Sequence, residues 1–131
     1  MRRYDRGGLQ PSRHDLAKAI SYLAVMDQFI DIAGASGASY RFRAAPQPSA
    51  LPMAAGNFVF VRHEEHRPQV VCCGSTNSLV QAGSLWSAAV EEHQAEGIYI
   101  HLNIARRFRA QVHEDISAKH QPAMAAPDMD P

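Results

Sequence analysis

The first strong pattern of apolar positions lies near the start of the chain. Apolar residues recur at steps of three and four, which places them on one face of a helix: Leu16, Ile20, Leu23, Met26 and Ile30. Ser12 and Asp15 stand at capping-box spacing, and Gly34 is a typical helix end. The pattern predicts an amphipathic helix over residues 12–34, after a disordered N-terminus at residues 1–11. Its broad apolar face needs a partner, either the rest of the domain or a second chain.

A proline-rich linker is predicted next, over residues 35–55. Residues 39–43 fit a short strand, whereas residues 44–55 carry three prolines and no charge. Proline has no backbone N–H to donate within a sheet or inside a helix, so this stretch predicts a connecting segment.

The second half of the chain alternates between strand and helix signals. Residues 57–62 and 69–73 predict a hairpin around a polar loop, and residues 98–102 a third strand. Residues 85–95 predict a helix that Ser84 can cap, and a last helix follows Asn103. The core stripe of that last helix has strict four-residue spacing: Ile104, Phe108, Val112 and Ile116. Pro122 ends the domain, and residues 123–131 predict a disordered tail. The fold class is therefore α+β, a small three-stranded sheet with flanking helices and an added N-terminal helix.

Composition and charge narrow the class of protein. The 131 residues are enough for one domain, and 13 Lys+Arg balance 13 Asp+Glu. Residues 1–62 carry a net charge of about +4 and residues 63–131 about −4, a split that can guide self-association but more often only gives each half a solvated surface. No apolar run has the length of a membrane span, and the N-terminus lacks the apolar core of a signal peptide, so we expect a cytoplasmic protein that does not contact a membrane. Adjacent Cys72 and Cys73 suit neither a disulfide framework nor a zinc site, and we expect them to be core residues on opposite faces of one strand.

Residues of the second half resemble the GIY-YIG nuclease domain over about residues 56–125. Gly56-Asn57-Phe58 stands where that family has Gly-Ile-Tyr, and Cys72-Cys73-Gly74 where it has Tyr-Ile-Gly. Gly74 to Leu79 resembles the family's continuation into its first helix, and Asp115-Ile116 followed by Pro122 resembles the end of its last helix. The resemblance implies a GIY-YIG-like domain over residues 56–122.

The same resemblance argues against the family's chemistry. Hydrolysis there is understood to use two motif tyrosines, an arginine on the first helix and a metal-binding glutamate on the last. The corresponding positions hold Phe58, Cys72, Ala82 and His113. Phenylalanine lacks the hydroxyl that can move a proton, and histidine does not reproduce a hard oxygen ligand for magnesium. The resemblance therefore implies a degenerate nuclease scaffold.

Other residues keep alternatives open. Arg106, Arg107 and Arg109 cluster near the start of the last helix, where they can hold phosphates or form salt bridges to the neighbouring helix. His113 and Glu114 are candidate metal ligands, while the run His63-Glu64-Glu65-His66 is expected to be a solvated loop.

We therefore expect a non-catalytic interaction or regulatory module, and no cofactor. Its partner is expected to be another protein, a second copy through the N-terminal helix, or a nucleic acid through the three arginines. The alternative is an active Mg²⁺- or Mn²⁺-dependent DNA endonuclease with its chemistry moved to His113, Glu114 and His101.

Overall fold

The computed structural model describes residues 29–129 and contains one five-stranded antiparallel sheet. Its strands are Phe29–Ala33 (β1), Ser39–Ala45 (β2), Gly56–Glu64 (β3), Arg67–Thr76 (β4) and Gly97–Leu102 (β5). They lie in the order β1-β2-β5-β3-β4. The α+β class and the three predicted strands, now β3, β4 and β5, are confirmed. A three-stranded sheet is wrong, because β2 pairs with β5 and β1 pairs with β2.

Strand β1 lies where the sequence predicts the end of the N-terminal helix. Residues 1–28 lie outside the described residues, but over Phe29–Ala33 the helix prediction is wrong. Pairing with β2 fixes the extended conformation here, and Ile32 becomes buried on one face of the sheet. The strand expected within the linker is confirmed as β2. The proline-rich stretch that follows forms a short 3-10 helix at Pro48–Ala50 and then buries Leu51.

In the part of the chain that the structure describes, two α-helices pack on the sheet. The first, Trp86–His93 (α1), follows a 3-10 helix at Leu79–Leu85, and its N-cap is Leu85 rather than Ser84. The second, Arg106–His120 (α2), buries Val112 and Ile116 as predicted. The stripe prediction is wrong for Ile104 and Phe108, which are exposed. The helix begins only at Arg106, and Arg109 takes the inward position instead.

The sheet separates two apolar clusters. Helix α2 covers one face, where it packs on a cluster that includes Phe42, Val59 and Tyr99. The other face packs against the 3-10 helix, α1 and the C-terminal segment through a cluster that includes Phe58 and Phe60. Within residues 29–129, no helix is both long enough and apolar enough to cross a membrane.

The C-terminal segment lies along β4, the last strand in the sheet order. The Met124 amide donates to the Val71 carbonyl at 3.0 Å, and Thr76 Oγ1 donates to the Met129 carbonyl at 3.2 Å. Met124, Ala126 and Met129 pack on the apolar cluster beside them. The predicted disorder of the tail is therefore wrong as far as Met129, because the side of β4 offers backbone partners and an apolar groove.

Candidate functional site

Three of the four positions that the resemblance aligns with the family's catalytic residues form a closed core. Phe58, Cys72 and Ala82 are all fully buried and belong to one apolar cluster. Phe58 packs against Phe60 with ring centroids 5.2 Å apart. Burial, helped by the neighbouring Cys73, raises the pKa of the Cys72 thiol to about 12. These positions therefore carry no hydroxyl, guanidinium or thiolate that can take part in hydrolysis.

The fourth position, His113, lies on the opposite face of the sheet. Helix α2 places its Nδ1 at 3.6 Å from Cys73 Sγ, and Cys73 Sγ lies 3.2 Å from Ser117 Oγ. Cys72 and Cys73 thus point to opposite faces, as the sequence predicts, and both are buried free thiols. Burial lowers the pKa of His113, although the charge of Glu114 opposes this, so the imidazole is neutral at pH 7. Burial also raises the pKa of Cys73, so its thiol stays protonated.

A cleft of about 320 Å³ opens beside His113, between the end of β4, helix α2 and the C-terminal segment. Its walls are Gly74, Ser75, Arg106, Ala110, His113, Glu114, Ala126, Pro127 and Asp128. The cleft therefore combines one guanidinium, two carboxylates and a neutral imidazole. It holds the candidates His113, Glu114 and Arg106, but it does not contain Phe58, Cys72 or Ala82.

The residues present do not fit the metal that the family resemblance implies. Magnesium prefers several oxygen ligands, whereas the glutamate position is held by a half-buried imidazole against a thiol. Across residues 29–129, no three His, Cys, Asp or Glu side chains form a group that could hold a metal ion. His101 is engaged elsewhere, because its Nδ1 lies 2.8 Å from the Arg41 carbonyl and its ring packs on Phe42. The structure thus does not bring His113, Glu114 and His101 together.

The three candidate arginines do not share one surface. Arg109 is 4% exposed, and its Nη1 donates to the carbonyls of Asn103 and Ile104 in the loop before α2. It therefore fixes the start of the helix and cannot contact a nucleic acid directly. Arg106 lines the cleft, while the guanidinium of Arg107 lies 5.4 Å from the ring centroid of Phe108. The alternative use of these arginines was in salt bridges to α1, and within residues 29–129 Arg107 forms none.

Asn57 is a structural residue of the site that the sequence analysis missed. Its side chain is almost fully buried, and its Nδ2 donates to the carbonyls of Arg109 at 2.9 Å and Gly74 at 3.4 Å. Its Oδ1 accepts from Asn103 Nδ2 at 3.3 Å. Asn57 therefore ties α2 to both strands of the hairpin. The sequence did contain a signal for this role, because Asn57 is a single polar residue at the start of an apolar strand. A polar side chain that is buried there needs hydrogen-bond partners.

The loop His63-Glu64-Glu65-His66 forms the tip of the β3–β4 hairpin. Both central turn residues, Glu65 and His66, have positive φ angles of 51° and 66°. His63 Nδ1 lies 3.3 Å from Glu96 Oε1, on an exposed surface. The prediction of a solvated hairpin loop is confirmed, although the strands run closer to the tip than expected.

Asp115 fastens the β1–β2 turn to α2. Its carboxylate accepts hydrogen bonds from the Ser36 amide at 2.8 Å, the Ser36 hydroxyl at 2.6 Å and the Tyr40 hydroxyl at 2.7 Å. A Cβ atom on Gly34 would lie only 1.9 Å from Asp115 Oδ2. Gly34 is therefore required by this close approach, and not as the end of a helix. The donors from Ser36 and Tyr40 lower the pKa of Asp115.

We expect this contact to make the protein less stable in acid. A carboxylate with a lowered folded pKa stabilises the fold above its unfolded pKa of about 3.9, and that contribution is lost as the pH falls through the folded value. Urea unfolding between pH 7 and about pH 2 should therefore show that Asp115→Asn lowers the free energy of unfolding at neutral pH and that this loss disappears in acid. In proteins that already carry Ser36→Ala or Tyr40→Phe, each of which removes one donor to the carboxylate, the loss caused by Asp115→Asn at neutral pH should be smaller. A loss that does not change with pH would contradict this role for the charge of Asp115.

No protein-family model, curated protein or solved structure matches this chain.

Proposed function

We propose that the protein is a non-catalytic interaction or regulatory module on a degenerate GIY-YIG-like scaffold. The order of elements supports this scaffold: the hairpin β3–β4 is followed by α1, β5 and α2, as the resemblance implies. The main support for a non-catalytic role is that Phe58, Cys72 and Ala82 pack into one fully buried apolar cluster. A nuclease needs these positions to be polar and to face its substrate.

The partner that we favour is a protein. A nucleic-acid surface on Arg106, Arg107 and Arg109 would lose its third member to the interior, because Arg109 supports the loop before α2. The described residues also expose several large apolar side chains, which are common at protein interfaces: Phe29, Met53, Val80, Val90, Leu102, Ile104 and Phe108.

The test is DNA cleavage by the full chain, with labelled single- and double-stranded DNA and Mg²⁺ or Mn²⁺. We expect no cleavage above the buffer blank. His113→Ala is the matched control, because cleavage that this variant retains comes from a contaminant or from another site. Metal-dependent cleavage that His113→Ala abolishes would overturn the proposal in favour of the nuclease alternative.

The same samples can be read by fluorescence anisotropy over a salt series. We expect weak binding or none at physiological salt. Binding that falls steeply with salt and weakens in Arg106→Ala/Arg107→Ala would identify nucleic acid, rather than protein, as the partner of the module.

A further inference from the structure

Within residues 29–129, the half of the sheet formed by β1 and most of β2 is covered on one side only. On β1 and on the part of β2 that pairs with it, four large side chains that face away from α2 are exposed: Phe29, Asp31, Arg41 and Arg43. We call this surface the open half. Arg43 pairs with Ile100 of β5, and Ile100 is buried under the other elements of that face. The covered part of the face therefore ends between Ile100 and Arg43, while Ala45, near the end of β2, is still buried with Ile98. The height of the surface changes at this boundary.

The open half is basic and partly apolar. Arg41 lies 3.3 Å from Asp31 and places its guanidinium 5.7 Å from the ring centroid of Phe29. Two arginines and one aspartate give this surface a net charge of +1. Phe29 is 57% exposed, and Leu102, next along β5 on the same side of the sheet, is 53% exposed. Aromatic and arginine side chains in this combination are typical of protein interfaces.

The half of the same face that α1 covers is acidic, and we call it the raised half. Helix α1 packs there through Ala89 and through Trp86, whose ring lies 5.2 Å from Phe60. Its outer surface presents exposed Glu91 and Glu92 beside Val90, which is 40% exposed. With no Lys or Arg on the helix, its formal charge is −2.

We propose that two copies of the chain dock through this face, with α1 of each copy lying on the open half of the other. Both surfaces lie on the same side of the sheet, so a two-fold axis brings the raised half of one copy over the open half of its partner. A single helix layer is about 10 Å thick, and α1 of one copy would supply such a layer over the uncovered strands of the other. The arrangement brings Glu91 and Glu92 close to Arg41 and Arg43 twice, while Val90 meets the apolar Phe29 and Leu102.

This inference rests on the proposed function, because it names the partner of the interaction module. The proposed function and the dimer can be overturned independently of each other. DNA cleavage would overturn the proposed function and leave the oligomeric state unchanged, whereas a monomer would overturn only the inference.

The test is a charge swap, read by size-exclusion chromatography with light scattering and by sedimentation over a range of concentrations. The native 131-residue chain is expected to be a dimer. Arg41→Glu/Arg43→Glu and Glu91→Arg/Glu92→Arg should each raise the dimer Kd by about 100-fold or more, since like charges then meet. An equal mixture of the two variants should form a heterodimer with a Kd within about tenfold of the native value.

Controls separate this contact from other causes. All four substituted residues are exposed, and circular dichroism checks that each variant is folded. Arg107→Glu, a reversal on α2 and hence on the other face, should leave the dimer unchanged. A native chain that is monomeric at all concentrations overturns the inference, and the open half then serves residues 1–28 or another protein. A dimer that survives both reversals, or a mixture that fails to associate, also overturns it.

Discussion

Replacement of Cys72 by tyrosine is expected to lower the free energy of unfolding by about 3 kcal/mol or more. Cys72 is fully buried at a β-bulge, directly opposite Phe60 in the cluster under α1 and the C-terminal segment. A tyrosine would bring a whole ring and a hydroxyl into space that close-packed side chains already fill. Both the overpacking and the burial of an unpaired hydroxyl are unfavourable.

The comparison that gives this result its meaning is Cys72→Val. Valine has nearly the volume of cysteine and no polar atom, so its cost should stay below about 1.5 kcal/mol. Urea unfolding followed by the fluorescence of Trp86, the single tryptophan, measures both variants. If Cys72→Tyr is as stable as Cys72→Val, then the position faces an open cleft, and the core that supports a non-catalytic role is not closed.

The strands of the second half could be predicted because their apolar runs are short and bounded by turn residues. Strand β1 could not, since Ile30 continues the helical spacing of Leu16 to Met26 while Ile30 and Ile32 also fit a strand. The choice depends on β2, which pairs with β1 from across a turn. The C-terminal segment was missed for a similar reason. Its sequence shows no periodicity, and only the groove beside β4 selects Met124 and Met129 for burial.

The candidate site was predicted in part. The orientation of Cys72 and Cys73 follows from strand alternation, which is a local rule. The separation of Cys72 from His113 depends on which face α2 covers, and no local pattern contains that information. Arg109 was misinterpreted because periodicity assigns charged residues to the outside of a helix. Here the guanidinium is buried because the carbonyls of Asn103 and Ile104 accept its hydrogen bonds.

Gly74→Ala is expected to destabilise the protein by about 1–3 kcal/mol. The backbone angles at Gly74 are not in the left-handed region, so the cause is steric. A Cβ atom there would lie 2.5 Å from both Cε1 and Cζ of Phe58, and 3.4 Å from the Cβ atom of Ala126. The ring cannot move away, because it is fully buried and packs against Phe60.

Gly83→Ala is the matched control for this substitution. The nearest atoms to a Cβ on Gly83 lie 3.7 Å away, an ordinary contact distance, so alanine should be neutral or stabilise the protein by up to about 1 kcal/mol.

Phe58→Leu removes the ring atoms that clash, and in a protein that carries Phe58→Leu the substitution Gly74→Ala should lose most of its destabilising effect. Chemical denaturation of the four proteins in this double-mutant cycle should give a coupling energy of about 1 kcal/mol or more. Additive effects would contradict the contact. A coupled pair would mean that Gly74 is needed to accommodate the aromatic ring of Phe58, so that two positions at which the sequence resembles the nuclease motifs are fixed by packing.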